Sequence, residues 1–267
     1  MTDRSNVKQK ASNWAPFVFI ALLINSPTVA ANNCSADTFH ESVKVAHVYD
    51  GDTIKLTDGR KLRIIGINTP ERGRDGKKDQ PFYQDAKNHL QQIIEKNNNQ
   101  LKIILGKDKR DRYKRLLAHI FTLQNENITS SMLKKGMGFS IAIPPNIKFN
   151  ACYQKAEREA KKHNSGIWQH SFSQAVEAAS LSETTRGFHQ VKGTVQRIGE
   201  SRSSYWLNLD EKFALRILKK DLPYFIKYHP KQLLNQQVIA RGWIYQRKNE
   251  LRMSIHHPAS LQLQNTD

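Results

Sequence analysis

The sequence is poor in acidic residues and in cysteine. Its 267 residues include 24 Asp+Glu against 42 Lys+Arg, which gives a formal net charge of +18. Two cysteines without clustered histidines argue against a zinc site. The positive surplus favours polyanionic partners, with nucleic acid first and anionic membrane or polysaccharide second. A basic, well-solvated surface without such a partner is the alternative at this point.

Long apolar runs are also scarce. The longest, Trp14–Ile24, has 11 residues, whereas a membrane-spanning helix needs about 20. It follows a basic stretch and precedes small residues at 29–31. This order predicts a signal peptide over residues 1–31, with an uncleaved anchor as the alternative. We therefore expect an exported bacterial protein, periplasmic or secreted, with no stable membrane insertion after the signal is removed.

Export would place Cys34 and Cys152 in an oxidising compartment, where a single disulfide is allowed. Such a bond would tie the mature N-terminus to a predicted helix. Two free thiols are the alternative, and the sequence does not choose between them.

Turn signals and hydrophobic periodicity divide residues 40–170 into strands and helices. Asp58-Gly59 is a strong hairpin signal, and a charged loop is predicted over 106–115. The predicted strands cover 43–49, 53–57, 61–67, 101–105 and 116–123, and the predicted helices cover 83–97, 128–137 and 151–163. This order fits a small mixed barrel better than a βαβ fold.

The C-terminal part has a different pattern. Residues 171–186 are rich in Ser, Ala, Glu and Thr and predict a linker. Residues 187–265 predict a helix over 221–228 and strands over 188–198, 204–209, 213–218, 237–245 and 251–255. Five short strands with one intervening helix suit a second, smaller OB-like barrel that binds nucleic acid.

Three motifs carry the chemistry, namely VYDGDT at 48–53, LRIIGINTPE at 62–71 and DRYKRLLA at 111–118. In this order and spacing they resemble the motif blocks of staphylococcal nuclease-like (thermonuclease) proteins, over about residues 43–168. The resemblance implies a β-rich α+β fold, an OB-type five-stranded barrel with three helices. It also implies an endonuclease-type phosphodiesterase that hydrolyses DNA and/or RNA, usually with Ca2+.

Carried over by position, the resemblance makes Asp52 a direct metal ligand and assigns the backbone carbonyl of Thr69 to the metal. Asn68 stands where the family typically has a second metal-binding aspartate. An asparagine oxygen ligates Ca2+ without formal charge, so we expect weaker metal binding. Hard oxygen ligands make Ca2+ the first expectation, with Mg2+ or Mn2+ behind it.

The same comparison of motifs gives the expected catalytic residues. Glu71 would orient or deprotonate the attacking water, and Arg63 and Arg115 would bind the phosphate. Substrate binding is expected from the flanking residues Arg112, Tyr113 and Lys114. Taken singly, each of these residues also fits a polar turn or a solvated strand face.

Two departures from the family pattern keep an alternative open. The uncharged Asn68 favours a non-catalytic nucleic-acid-binding protein that retains the nuclease fold. Residues 139–145 read FSIAIPP where the family enzyme places tyrosines against the nucleotide, so base stacking there is not expected.

The C-terminal part offers aromatic residues instead. Residues 187–267 hold 13 Lys+Arg against six Asp+Glu, and Tyr205, Trp206, Trp243 and Tyr245 fall on predicted strands. Exposed aromatics and a basic groove suit single-stranded nucleic acid, although an aromatic on a strand also suits the core. A cell-envelope module for anionic polysaccharide or lipid is a further alternative. We expect a monomer and predict no particular protein partner.

Overall fold

The computed structural model describes residues 1–2, 34–73, 76 and 78–264. Residues 3–31 of the predicted signal peptide, and the two residues that follow them, lie outside the described residues. Within these described ranges, the apolar helices are all too short to cross a membrane.

The first half forms a closed barrel. Its strands, in chain order, are β1 (Glu41–Asp50), β2 (Thr53–Leu56), β3 (Lys61–Ile64), β4 (Ile67–Asn68), β5 (Gln100–Arg110), β6 (Leu116–Phe121) and β7 (Phe139–Ser140). The barrel order is β1-β2-β3-β6-β5, and β3 and β6 run parallel. The short strands β4 and β7 pair beside it. Gly59, at a φ of 86°, closes the predicted β2–β3 hairpin.

Three helices cover this barrel: α1 (Tyr83–Lys96), α2 (Ile128–Lys134) and α3 (Asn150–Lys162). The buried positions Ala86, Leu90 and Ile94 of α1 follow the predicted periodicity. Helix α2 ends three residues earlier than predicted, because Gly136 adopts a φ of 69° and a side chain there would meet the backbone of Ser165. The predicted fold class is confirmed.

Strand β5 is longer than predicted. Residues 106–110, which we assigned to a charged loop, continue the strand. Asn146 holds this extension, since its Oδ1 accepts from the Asp108 N–H at 3.0 Å and its Nδ2 donates to the Asp108 carbonyl at 2.9 Å. The connection to β6 is therefore shortened to residues 111–115.

The second half is a smaller barrel-like sheet. Its strands are β8 (Val176–Glu177), β9 (Gly187–Thr194), β10 (Arg197–Glu200), β11 (Ser204–Asp210), β12 (Phe213–Leu218), β13 (Gln237–Arg247), β14 (Glu250–Ser254) and β15 (Leu261–Leu263). The order β10-β11-β12-β14-β13-β9 repeats that of the first barrel, with a parallel pair β12–β14, when β9 and β10 count as one bent strand. The OB-type prediction for this half is thus supported by its topology.

Two predictions in this half need correction. The helix predicted over 221–228 is a 3-10 segment, Lys219–Tyr224, because Pro223 inside it lacks the N–H that an α-helix uses. The segment 171–186, predicted as a linker, is partly packed. Its β8 pairs with β9, and Ala178 is buried in the second core.

The two barrels share an interface made of apolar and charged contacts. Phe139, Ile167 and Phe188 form one buried group, the interface cluster. Beside it, Nη1 of Arg241 on β13 lies 2.7 and 2.8 Å from the carboxylate oxygens of Glu157 on α3. Both side chains are buried, and removing one partner of such a pair typically costs about 3–5 kcal/mol.

Cys34 and Cys152 form a disulfide, with their Cα atoms 5.7 Å apart. The sequence left open a disulfide or two free thiols, and the structure has the disulfide. The bond joins the described segment before β1 to α3.

A buried histidine lies in the nuclease-like half. His119 on β6 is 2% exposed, and its Nδ1 lies 2.9 Å from the Tyr153 hydroxyl. Burial, with a smaller contribution from the charge of Lys148, lowers the pKa of His119 from 6.5 to about 3. The imidazole is consequently neutral in the folded protein at neutral pH.

We predict that this histidine makes stability fall on acidification. The unfolded chain takes up a proton below about pH 6.5, whereas folded His119 stays neutral down to about pH 3. Between pH 7 and pH 5 this group alone should remove about 2 kcal/mol from the free energy of unfolding. Urea unfolding at both pH values, in the wild type and in His119→Gln, measures the effect. An equal loss in both proteins would contradict it.

Candidate active site at the mouth of the first barrel

Asp52 lies at the start of β2, where the first motif turns. Its side chain is buried and accepts hydrogen bonds from the Thr69 N–H at 2.9 Å, the Thr69 hydroxyl at 3.1 Å and the Thr53 hydroxyl at 3.0 Å. A side chain at Gly51 would come within 2.8 Å of Ala86 and Thr69, so this close approach requires glycine. The first and second motifs are thereby joined through one carboxylate.

Arg63 on β3 connects the same group to β4. Its Nη2 lies 3.0 Å from Asp52 Oδ2 and 3.3 Å from Asn68 Oδ1. Its Nη1 donates to the carbonyls of Ile64 and Ile67, both at 2.8 Å. The Asp52 carboxylate and the Asn68 amide oxygen thus both contact Nη2 of Arg63. Both terminal nitrogens of the guanidinium are therefore held in place.

Asp50, which the sequence analysis left out of the site, places a second carboxyl group beside Asp52. One of its carboxylate oxygens accepts the Asp52 N–H at 3.0 Å. Burial, followed by the charge of Asp52, raises the pKa of Asp50 to about 7. Two carboxyl groups therefore lie next to each other at this turn.

The oxygen donors of the site suit a hard divalent cation. They are the Asp52 carboxylate and the Asn68 side-chain oxygen, with the backbone carbonyl of Thr69 following in sequence. Carboxylate, amide and carbonyl oxygens are the ligands that Ca2+ prefers. Among the described residues, no three His, Cys, Asp or Glu side chains cluster as a metal site, and Asn68 contributes an amide oxygen in place of a carboxylate. The donor set fits the cation, with reduced formal charge.

Glu71 lies three residues after Asn68, on the exit from β4. Its side chain is exposed. Gln80 fixes its backbone, since Oε1 of Gln80 accepts the Glu71 N–H at 2.8 Å and the Gln80 N–H donates to the Glu71 carbonyl at 3.1 Å. Sequence analysis missed this role of Gln80, for which no motif gives a signal.

Arg115 is held by the short loop that precedes β6. Asp111 Oδ2 lies 2.7 Å from both Nε and Nη2 of Arg115, while Oδ1 accepts the Tyr113 and Arg115 N–H groups at 2.9 Å. Asp111 is therefore a positioning residue within the third motif. Lys114 adopts a φ of 63° and completes this tight turn.

A cavity of about 380 Å³ brings Arg63 and Arg115 together, with Arg112 beside them. Tyr113 is 64% exposed, and the guanidiniums of Arg112 and Arg115 lie 4.8 and 5.4 Å from its ring centre. Asp52, Asn68, Thr69, Glu71 and Lys114 do not line this cavity in the described part of the chain. Arg63 thus connects Asp52 and Asn68 with the arginines of the cavity. Within the described residues, no hydrogen bond or ion pair links the Glu71 side chain to either group.

Trp243 from the second half also lines this cavity and is 38% exposed. The sequence analysis left open a core position for it. The sequence around Trp243 does not indicate this placement, because the placement depends on how β13 packs beside the first barrel.

The sequence is similar to those of known nucleases. The family model described as Staphylococcal nuclease homologue matches residues 61–170. The thermonuclease of Staphylococcus intermedius is 31% identical over 138 residues, which are 51% of this chain and 80% of that protein. Endonuclease YncB of Bacillus subtilis (strain 168) is 31% identical over 134 residues, 49% of this chain and 63% of that protein. The matched residues 61–170 hold the second and third motifs. Because the thermonuclease is 31% identical and is covered over 80% of its length, the chain belongs to the staphylococcal nuclease family.

Proposed function

We propose that this protein is an exported, divalent-cation-dependent nuclease that hydrolyses phosphodiester bonds of DNA and/or RNA. Membership of the family makes the chain a hydrolytic nuclease acting on nucleic acid; the cation, the export and the residue roles are the proposal. The observation that carries it is the convergence of Asp52 and Asn68 on Arg63, beside a cavity that also holds Arg115.

The chain's own residues account for the steps of hydrolysis. Arg63 and Arg115 bind the phosphate and stabilise the negative charge that builds up on its oxygens. Glu71 accepts a proton from the attacking water. The water oxygen bonds to phosphorus, the bond to the leaving oxygen breaks, and that oxygen takes up a proton from solvent while Glu71 returns its own proton to solvent. Arg112, Tyr113 and Lys114 hold the strand next to the cavity.

Asp52, Asn68 and the Thr69 carbonyl are the residues that would hold the cation. When bound, it neutralises phosphate charge as a Lewis acid. Ca2+ is the first candidate because all three donors are hard oxygens, with Mg2+ or Mn2+ behind it.

Cleavage of single- and double-stranded DNA and of RNA, with Ca2+, with Mg2+ and with a chelator, tests this function. We expect metal-dependent products from at least one substrate. Salt-dependent binding without cleavage under all conditions would instead support the non-catalytic alternative that Asn68 suggests.

We predict that Asn68→Asp tightens Ca2+ binding. A second carboxylate adds formal charge at a position that already faces Arg63 and lies near Asp52. Calorimetric Ca2+ titration and the Ca2+ concentration for half-maximal cleavage should both move to lower concentrations, by about tenfold or more. Asn98→Asp, in the turn after α1, adds the same charge elsewhere and serves as the control. Unchanged titrations in Asn68→Asp would remove Asn68 from the cation site.

Export is supported by the Cys34–Cys152 disulfide as well as by the predicted signal. Disulfides persist in oxidising compartments and are rare in the cytosol. N-terminal sequencing of the protein from periplasm or medium should find a start near residue 32. Recovery of the uncleaved chain from the cytosolic fraction would contradict export.

A further inference from the structure

We propose that the outer face of the second barrel binds single-stranded nucleic acid and leads it into the cavity that holds Arg63 and Arg115. The residues that form this surface, here called the stacking face, are Trp206, Arg216, Trp243, Tyr245 and Arg252. This proposal depends on the proposed function in one respect only, namely where the phosphodiester bond that is hydrolysed lies.

The side chains of the stacking face point away from the core. On β11, Tyr205 and Leu207 are buried, whereas Trp206 between them is half-buried. On β13, Trp243 is 38% exposed although both of its neighbours are buried. Because strand side chains alternate between two faces, these residues belong to the outer surface of the sheet.

Strand register makes this surface continuous. Trp206 pairs with Arg216 of β12, and Tyr245 pairs with Arg252 of β14. The guanidiniums of Arg216 and Arg252 lie 5.3 and 4.5 Å from the centre of the Trp206 ring. Aromatic rings beside guanidiniums offer a base a stacking partner and its phosphate a positive charge.

Trp243 connects the stacking face to the cleavage site. It is two residues before Tyr245 on the same face of β13, and it lines the cavity with Arg63 and Arg115. The path therefore runs from Trp206 across the sheet to Trp243, which lines the cavity.

Trp243 is also held in place by the interface cluster. Its ring contacts the Phe188 ring edge-on, with the ring centres 5.0 Å apart. The ring centres of Phe188 and Phe139 are 5.1 Å apart. Phe139 on β7 pairs with Asn68 on β4. The second barrel thus supplies a ring next to the site, in a chain whose residues 139–145 lack the family's tyrosines.

Single-stranded nucleic acid is the partner that these contacts favour. The faces of paired bases are stacked inside a duplex, so a side chain reaches them only in an unpaired strand. A cavity of about 380 Å³ has the size of a small-molecule pocket and fits one nucleotide. Anionic polysaccharide and lipid headgroups match the charge but have no base to stack on Trp206 and Trp243.

Fluorescence polarisation with labelled 12-mers tests the proposal, using full-length protein that carries Glu71→Gln. Single-stranded DNA, single-stranded RNA, duplex DNA and heparin are compared as ligands. We expect tighter binding of at least one single strand than of duplex, and an affinity lower by about 5- to 100-fold in Trp206→Ala and in Trp243→Ala. Trp206→Phe should restore most of the loss, and Ile226→Ala, an exposed apolar residue of the same half, is the matched control.

Thermal unfolding of each variant shows that the fold is intact. Equal affinity for single strand and duplex, or unchanged affinity in both alanine variants, would overturn the proposal. Heparin that competes equally with the wild type and the variants would point to a polysaccharide surface instead. The labelled strand is recovered and sized after each measurement. Its cleavage would count against the role of Glu71 and not against the stacking face.

Discussion

Glu71→Gln is expected to lower kcat by about 10²- to 10⁴-fold. The amide has nearly the same shape as the carboxylate but cannot accept a proton from the attacking water. The fold should be unaffected, because the contacts that fix this residue use its backbone and the Gln80 side chain, while its own side chain is exposed. Steady-state cleavage of a labelled strand at saturating substrate and Ca2+ measures the loss.

Glu95→Gln is the matched control for that experiment. Glu95 is an exposed acid near the end of α1, and the substitution removes the same charge from a strongly basic protein. We expect its kcat to stay within about twofold of the wild type, in line with the small effects of most surface changes. Equal activity of Glu71→Gln and Glu95→Gln would exclude Glu71 as the proton acceptor.

Arg63→Lys is expected to reduce kcat by about 10²- to 10³-fold. Lysine keeps the positive charge but lacks the planar, forked guanidinium group. In Arg63 this group contacts Asp52, Asn68 and two backbone carbonyls. The charge should therefore remain near Asp52, while the group that faces the phosphate loses its fixed orientation. Cleavage kinetics and the free energy of unfolding should be measured together.

Arg60→Lys provides the control, since the same exchange is made three residues earlier. Arg60 pairs with Glu41 and Asp58 at the β2–β3 hairpin, and these are partly exposed ion pairs. Surface pairs of this kind contribute about 0–1 kcal/mol, so little change in kcat is expected. Arg63→Lys with kcat within about twofold of the wild type would show that the fork has no part in the reaction.

The half of the site around Asp52, which we propose to bind the cation, could be predicted from the sequence because it is local. Asp52, Asn68 and Thr69 lie within 18 residues, in the segment that contains the β2–β3 hairpin and β4. The same holds for the positions of the strands in the first barrel, where turn signals and periodicity agree. These features depend on neighbours along the chain.

The remainder of the site depends on contacts between distant residues. Asn146 extends β5 and thereby shortens the connection between β5 and β6, although 38 residues separate Asn146 from Asp108. Trp243 reaches the cavity only through the packing of β13 beside the first barrel. Periodicity predicted a strand at Trp243 and no element at Asn146, and it gave no information about the partners of either residue.

The interface cluster has a consequence for how the protein loses its structure. A chain cut after residue 170 would leave Phe139 and Ile167 exposed to water, together with Glu157 without Arg241. The first barrel alone would then expose an apolar patch beside its candidate active site, and such a patch favours aggregation. The second barrel covers these residues, so the two halves are expected to unfold together in a single cooperative transition.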